Sequence, residues 1–389
     1  MKMATSLELT IGIEGAYSTS PTKTTDPRLS YMISISNDES LNDNHHNHGV
    51  LQKWMHTVLC YKKHSDDSED YGLHAKGRIK ESLGKALLEH PILAGRLRRS
   101  ENDNGDLRIV SNDSGIRCID AQISLSLVHF LELSKEKKNE VEGKLLYWKN
   151  VDESNPIFSP LFYIQMTKFK CGGYSIGISC SLLLTDPLYM AKFLNKWAKI
   201  HMSMVYESEM SKTLSCIYSS YFKFGSEHEY GTIHDSSNTR RKTSKTMIFN
   251  ISTEETKHYL RDEICKYFVQ HCLEKAENIF GSKLGSPFTL MTKEPNGNTK
   301  VEIFTRKANF TSPKNLKYEL NSSSWEDLKI NDVAFQRGNG PIDASHWISC
   351  DALEGMVLVV ISEAIKGKSG IHVYVTVPID QDLQEIECY

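Results

Sequence analysis

Cys180, Ser181 and Asp186 place a thiol, a hydroxyl and a carboxylate in one short segment. These are residue types from which a nucleophile and a proton carrier can be assembled. Strand alternation turns one of Cys180 and Ser181 toward the interior. Neither has a base beside it in sequence, and a thiol needs an electropositive setting to ionise. Buried, satisfied side chains are therefore the ordinary reading of both. Asp186 followed by Pro187 is a helix start, with the carboxylate as cap and proline at the first helical position. His201 reads as a charged or capping group near the end of that helix. His346 could point inward, though a structural role is the ordinary reading. His45, His46 and His48 lie in an Asn/Asp-rich loop without a cysteine or a framing strand, so no metal site is expected.

The elements that position these groups follow from periodicity. Leu161 to Phe169 alternates as a strand, Cys171-Gly172-Gly173 turns, and Tyr174 to Ser179 returns as a hairpin. A helix from Pro187 to about His201 carries Met190, Phe193, Leu194, Trp197 and Ala198 on one face, a stripe read as core. Upstream, Leu7–Ile13 and Trp54–Tyr61 read as strands. Ile79–Leu88 reads as a helix stopped by His90-Pro91, followed by short strands at Leu107–Val110 and Ile116–Ile119. Residues 206–246 are polar, with Arg240, Arg241 and Lys242 prominent, and read as a solvated linker. Beyond it, Thr246–Ile251 is a strand, and Thr253 caps a helix with Ile264, Phe268 and Cys272 on its apolar side. Strands follow at Val301–Thr305, Met356–Ser362 and His372–Val377, and a short acidic helix at Asp380–Glu387.

Composition bounds the rest. The 389 residues hold 46 Lys+Arg against 49 Asp+Glu, a formal charge of −3. That balance gives no basic field for nucleic acid. With 39% hydrophobic and 24% charged residues, the chain can bury a large core, which excludes wholesale disorder. At roughly 100–200 residues per domain, two or three domains are expected. No uncharged apolar run reaches the ~18 residues of a membrane helix. Met1-Lys2-Met3 lacks the apolar stretch of a secretory signal. The 9 cysteines form no Cys-x-x-Cys pair, as expected for reduced thiols of a cytosolic-type protein.

Several segments together resemble one family, the plant BAHD acyltransferases, which move an acyl group from coenzyme A to an alcohol or amine. Ile79-Lys80-Glu81-Ser82-Leu83 and Ile92-Leu93-Ala94-Gly95-Arg96-Leu97 resemble its first core helix and the turn that follows. The hairpin Tyr174–Ser179, Asp186 and Lys196-Trp197-Ala198 resemble its active-site segment. Asp332-Val333-Ala334-Phe335-Gln336-Arg337-Gly338 occupies the place of its C-terminal D-F-G-W-G motif. Asn112-Asp113-Ser114-Gly115-Ile116-Arg117, Phe158-Ser159-Pro160-Leu161 and the run from Gln165 to Gly173 are similar to the Eceriferum branch, plant proteins of cuticular wax formation. The resemblance implies an α/β, two-lobed, chloramphenicol-acetyltransferase-like fold, each lobe a mixed β-sheet flanked by helices. It divides the chain into 1–205, a crossover at 206–246, and a shortened second lobe at 247–389.

In that family the active-site segment reads His-x-x-x-Asp-Gly. Its His is the general base that takes the acceptor's proton as the thioester is attacked, a task suited to imidazole. Counting back four from Asp186 gives Leu182, so the segment here reads Leu182-Leu183-Leu184-Thr185-Asp186-Pro187. A leucine accepts no proton, and Asp186 is retained in a structural role. In the second motif Ala334 replaces the Asp, Gln336 the middle Gly and Arg337 the Trp, while Phe335 and Gly338 remain. The expectation is a family member without the standard catalysis. It would be a monomeric accessory factor in very-long-chain acyl-CoA elongation beside a 3-ketoacyl-CoA synthase. Acyl-CoA is its candidate ligand and no cofactor is required. It would be cytoplasmic, held at the endoplasmic-reticulum surface by its partner. The alternative is an acyl-CoA-dependent transferase that uses a substitute base or positioning alone.

Overall fold

The computed structural model of the protein describes residues 10–36, 49–63, 71–99, 107–210, 244–253, 262–281, 288–305, 317–350, 355–362 and 369–378. The histidine loop, the basic cluster 240–242, most of the 206–246 segment and the acidic 380–387 stretch lie outside the described residues. In chain order the strands are β1 (Ile11–Thr19), β2 (Ser30–Ser36), β3 (Trp54–Tyr61), β4 (Arg96–Arg99), β5 (Leu107–Val110), β6 (Ile116–Ile123), β7 (Phe162–Phe169) and β8 (Tyr174–Ser181). They continue as β9 (Ser244–Thr253), β10 (Phe288–Lys293), β11 (Thr299–Phe304), β12 (Tyr318–Ser323), β13 (Asp343–Ile348), β14 (Met356–Ile361) and β15 (Ser369–Pro378). The helices are α1 (Tyr71–Glu89), α2 (Leu127–Leu131), α3 (Lys135–Lys144), α4 (Pro187–Met210) and α5 (Asp262–Phe280).

The fold is α/β with two mixed sheets. The first runs β1-β6-β7-β8-β3-β13 and the second β12-β9-β15-β14-β10-β11-β2-β5-β4. Each sheet draws strands from both sides of the 206–246 segment. β13 completes the first sheet by pairing antiparallel with β3, and β2, β5 and β4 extend the second, β2 running parallel to β11. Side chains of α3 hold β13 in place. Lys138 Nζ lies 2.7 Å from Asp343 Oδ1, and Ser345 Oγ donates to Glu142 Oε1 at 2.6 Å.

One large apolar cluster unites α1, α4 and the facing surfaces of both sheets, including Leu83, Leu87, Leu182, Trp197, Met291, Leu358 and Tyr374. A second cluster seats α5 on the second sheet through Phe268, Cys272 and Val373. A third seats α2 and α3 on the first sheet through Phe130, Val141 and Phe169.

Three of the segments that carry the family resemblance make structural contacts. The buried Arg96 guanidinium donates to Gly95 O and Gly115 O, each at 2.9 Å, clamping two of those segments together. Gly115 has φ +84°, and a side chain there would meet the Thr19 carbonyl, so only glycine fits. The Cys171-Gly172-Gly173 turn closes the β7–β8 hairpin through Gly172 N–H to Phe169 O at 2.9 Å.

The structure departs from the sequence reading in places. α4 continues past His201 to Met210. β2, β4, β10, β12 and β13 are additional strands, and α2 and α3 additional helices. The first strand begins at Ile11, within the described residues, and runs to Thr19.

Candidate functional site

β8 ends at Ser181, and a tight turn joins it to α4. Ser181 O accepts from Leu184 N at 3.0 Å, and Ser181 Oγ accepts from Leu183 N at 3.2 Å. Leu182 N–H donates to Lys53 O at 2.8 Å, fixing the turn to the residue before β3. Asp186 Oδ1 accepts from Tyr189 N at 2.9 Å, the helix cap expected from its sequence. The Leu182 side chain is 0% exposed and belongs to the large cluster between the sheets. Hydrocarbon thus fills the position where the family resemblance implies a base. Cys180 is also fully buried, and burial pushes its thiol well up, so it stays protonated and inert.

The second sheet presents three polar side chains to this turn. Lys293, at the end of β10, donates from Nζ to Leu183 O at 2.9 Å and to Thr299 Oγ1 at 3.3 Å. Burial lowers its amine from 10.5 to about 8, against the opposing pull of Asp186 and Cys180. His372 Nδ1 lies 2.6 Å from Asn250 Oδ1, and burial lowers its pKa. Tyr374 is 0% exposed, and its hydroxyl is a buried group without a hydrogen-bond partner. Burial, then the Asp186 charge, raise its pKa. Lys293 and His372 end one cross-strand row with Val360 between them, and Tyr374 follows two residues along the same face. None of the three stands out in the sequence. The alternation His372-Val373-Tyr374-Val375 was the available signal for the last two, because it puts His372 and Tyr374 on one face of a buried strand.

The second motif sits elsewhere. Tyr61 Oη donates to Val333 O at 2.8 Å, and Asn339 Nδ2 donates to Lys62 O at 3.1 Å. Phe335 is buried edge-on against Trp197, with ring centroids 4.6 Å apart. Gly338, at φ +72°, closes a turn in which Asn339 N donates to Gln336 O at 3.1 Å. Ala334 and Gln336 are half-buried, while Arg337 and Gly338 are exposed. This turn touches the Tyr61 end of β3, whereas Leu182 is tied beside the Trp54 end. At ~3.3 Å per residue the strand separates them by about 20 Å, so the fold does not bring Leu182 and the 334–338 turn together.

The remaining candidates are placed plainly. His201 is no charged cap. It lies inside α4, buried, with Nδ1 3.0 Å from Ser82 Oγ, and burial lowers its pKa to about 4. His346 does face inward, but Nδ1 contacts Thr57 Oγ1 at 3.1 Å and Nε2 contacts Asn331 Oδ1 at 2.8 Å. Among the described residues no group of three or more His, Cys, Asp or Glu is arranged to hold a metal. No helix among them is long and apolar enough to cross a membrane. Two surface depressions lie away from the turn. One is lined by Lys266, Leu290 and Glu302, the other by Phe249, Lys275 and Leu320.

Residues 40–261, more than half of the chain, match the Transferase family, and the chain belongs to that family, the plant BAHD acyltransferases. Among its relatives, Protein ECERIFERUM 26-like of Arabidopsis thaliana is 33% identical over 121 residues, 31% of this chain and 27% of that protein. Omega-hydroxypalmitate O-feruloyl transferase of the same plant is 29% identical over 146 residues, 38% of this chain and 30% of that one. These alignments span 27–30% of the curated relatives' length. The crystal structure of vinorine synthase aligns over 96% of each chain at 15% identity, with a TM-score of 0.45.

Proposed function

We propose that this chain binds acyl-CoA and assists very-long-chain acyl-CoA elongation, without the histidine-based acyl transfer of its family. Leu182 carries the reading. Counting back four residues from Asp186, the resemblance assigns the family's base to this position; the leucine there is fully buried with its backbone tied to Lys53, and hydrocarbon accepts no proton. The similarity to ECERIFERUM proteins supports the direction of the proposal. The partner is the elongase condensing enzyme, a 3-ketoacyl-CoA synthase at the endoplasmic-reticulum surface, and the chain acts there as a cytoplasmic monomer. The test is a yeast strain expressing a plant condensing enzyme, scored for acyl-chain length with and without this protein. The proposal expects longer chains with it; an unchanged profile counts against it.

One observation favours a second reading, acyl transfer to an alcohol or amine. Lys293 brings an amine with a pKa of about 8 to the Leu183 carbonyl. At neutral pH about a tenth of such an amine is free base. Release of free CoA thiol from acyl-CoA in the presence of an acceptor separates the two readings.

A further inference from the structure

The far end of the second sheet carries a groove that the acyl-CoA reading does not use. β12 is the terminal strand there and, among the described residues, pairs only with β9. Its other edge offers backbone N–H and C=O groups at the spacing of a ladder. α5 lies over the same end. Tyr318, which opens β12, is tied to that helix, its hydroxyl 2.9 Å from His271 Nδ1 and 3.2 Å from Tyr267 Oη. Beyond the tie a cavity of about 410 Å³ opens between helix and strand, lined by Phe249, Leu320, Ser322, Lys275 and Ile279 among others. Ile279 is 62% exposed, an apolar side chain left uncovered beside the open edge. Lys275 supplies a positive charge, and no carboxylate among the described residues lines the cavity. Glu319, between Tyr318 and Leu320, falls on the opposite face of β12 by strand alternation.

We infer that β12 accepts an added strand from a partner protein. The segment is extended and carries an apolar and an acidic residue two positions apart on the face turned to α5. The apolar side chain lies against Ile279 and Leu320, and the acid meets Lys275. This occupant uses all three features at once: the open edge, the apolar cavity and the unopposed charge. A small amphiphile would fill the cavity and leave the edge unpaired. A second copy of this chain, joined edge to edge by a two-fold axis, would bring Lys275 toward its own counterpart. The inference stands apart from the acyl-CoA reading and from the 182–186 turn.

Fluorescence anisotropy of a labelled, capped peptide, Thr-Val-Thr-Glu-Thr-Val-Thr, titrated with the full chain tests this. Exchanging its Glu for Lys should weaken binding about fivefold, and Lys275→Glu should reverse that preference. Ile279→Ser should weaken both peptides at least about threefold. Lys275 and Ile279 are exposed, so substitution there leaves the core intact. Alternate N–H groups of a strand point to opposite sides. N-methylation of one alternate set of the peptide should therefore abolish binding, and of the other set should leave it. Absence of binding overturns the inference, as does a preference unchanged in Lys275→Glu or equal behaviour of the two methylated peptides. So does a concentration-dependent dimer that Ile279→Asp dissociates, because a second copy would then hold the edge.

Discussion

The ammonium of Lys293, on β10, donates to the carbonyl oxygen of Leu183, in the turn after β8, at 2.9 Å. That bond joins the second sheet to the turn that carries Leu182. It uses backbone rather than a side chain of the turn, so it does not depend on which side chain stands there. A buried cation is costly unless its protons are satisfied, and Lys293 meets this through Leu183 and Thr299.

The joint should be visible in the pH dependence of stability. Burial lowers Lys293 from 10.5 to about 8, so between those values the unfolded chain holds a proton that the folded chain has lost. Stability therefore rises with pH through that window, and the cost of burying the charge is fully present below it. Relative to Lys293→Met, the wild type should gain about 3 kcal/mol between pH 7.5 and 10.5, read from urea unfolding of both proteins. A difference that stays flat across the window contradicts the assignment.

Two histidines predict the acid side. His56 is packed between Trp148 and Trp347, its ring centroid 4.5 Å and 5.3 Å from theirs, and burial lowers its pKa to about 3. His201 is lowered to about 4. Both are neutral when folded and take up protons on unfolding below about pH 6.5, so stability falls as pH falls from there toward the folded values. Together they should remove about 5 kcal/mol between pH 7 and 4.5. Guanidinium titrations of His201→Leu should show roughly half the loss over the same range; an unchanged slope would mean His201 is charged in the folded protein.

The second motif should divide into one supporting residue and several indifferent ones. Phe335→Ala opens a cavity against Trp197 and should cost about 3–5 kcal/mol. Arg337→Ala, at an exposed turn position, should stay within about 0.5 kcal/mol of the wild type. Thermal unfolding of the pair checks this, and equal effects would contradict the packing described.

Asp186 should act as a cap. Asp186→Asn keeps an acceptor for Tyr189 N–H and should be nearly neutral. Asp186→Ala should lose about 1 kcal/mol, measured by chemical denaturation. A loss for Asn as large as that for Ala would assign the charge, through Lys293, a larger part than the cap.

Much of the N-terminal half was legible because its signals are local. The β7–β8 hairpin shows alternation and a Gly-Gly turn, and α4 shows its cap, its proline and an apolar stripe. Leu182 could be located by counting back from Asp186. β13 was not legible. Asp343-Ala344-Ser345-His346 has no alternation of its own and becomes a strand because β3 offers a ladder and α3 offers Lys138 and Glu142. Lys293 and Tyr374 were missed for a related reason. Their proximity to the turn depends on the register of β10, β14 and β15, which no local spacing encodes. His201 was misplaced because a helix read as ending there continues for more than two turns.

The most direct test of the central claim is the release of free CoA thiol when the purified chain meets acyl-CoAs of varied length together with a panel of alcohols and amines. A chain with leucine at position 182 is expected to release no more thiol than the uncatalysed background. Turnover above background that remains the same in Leu182→His would contradict the account, because acyl transfer would then proceed without regard to the residue on which it rests.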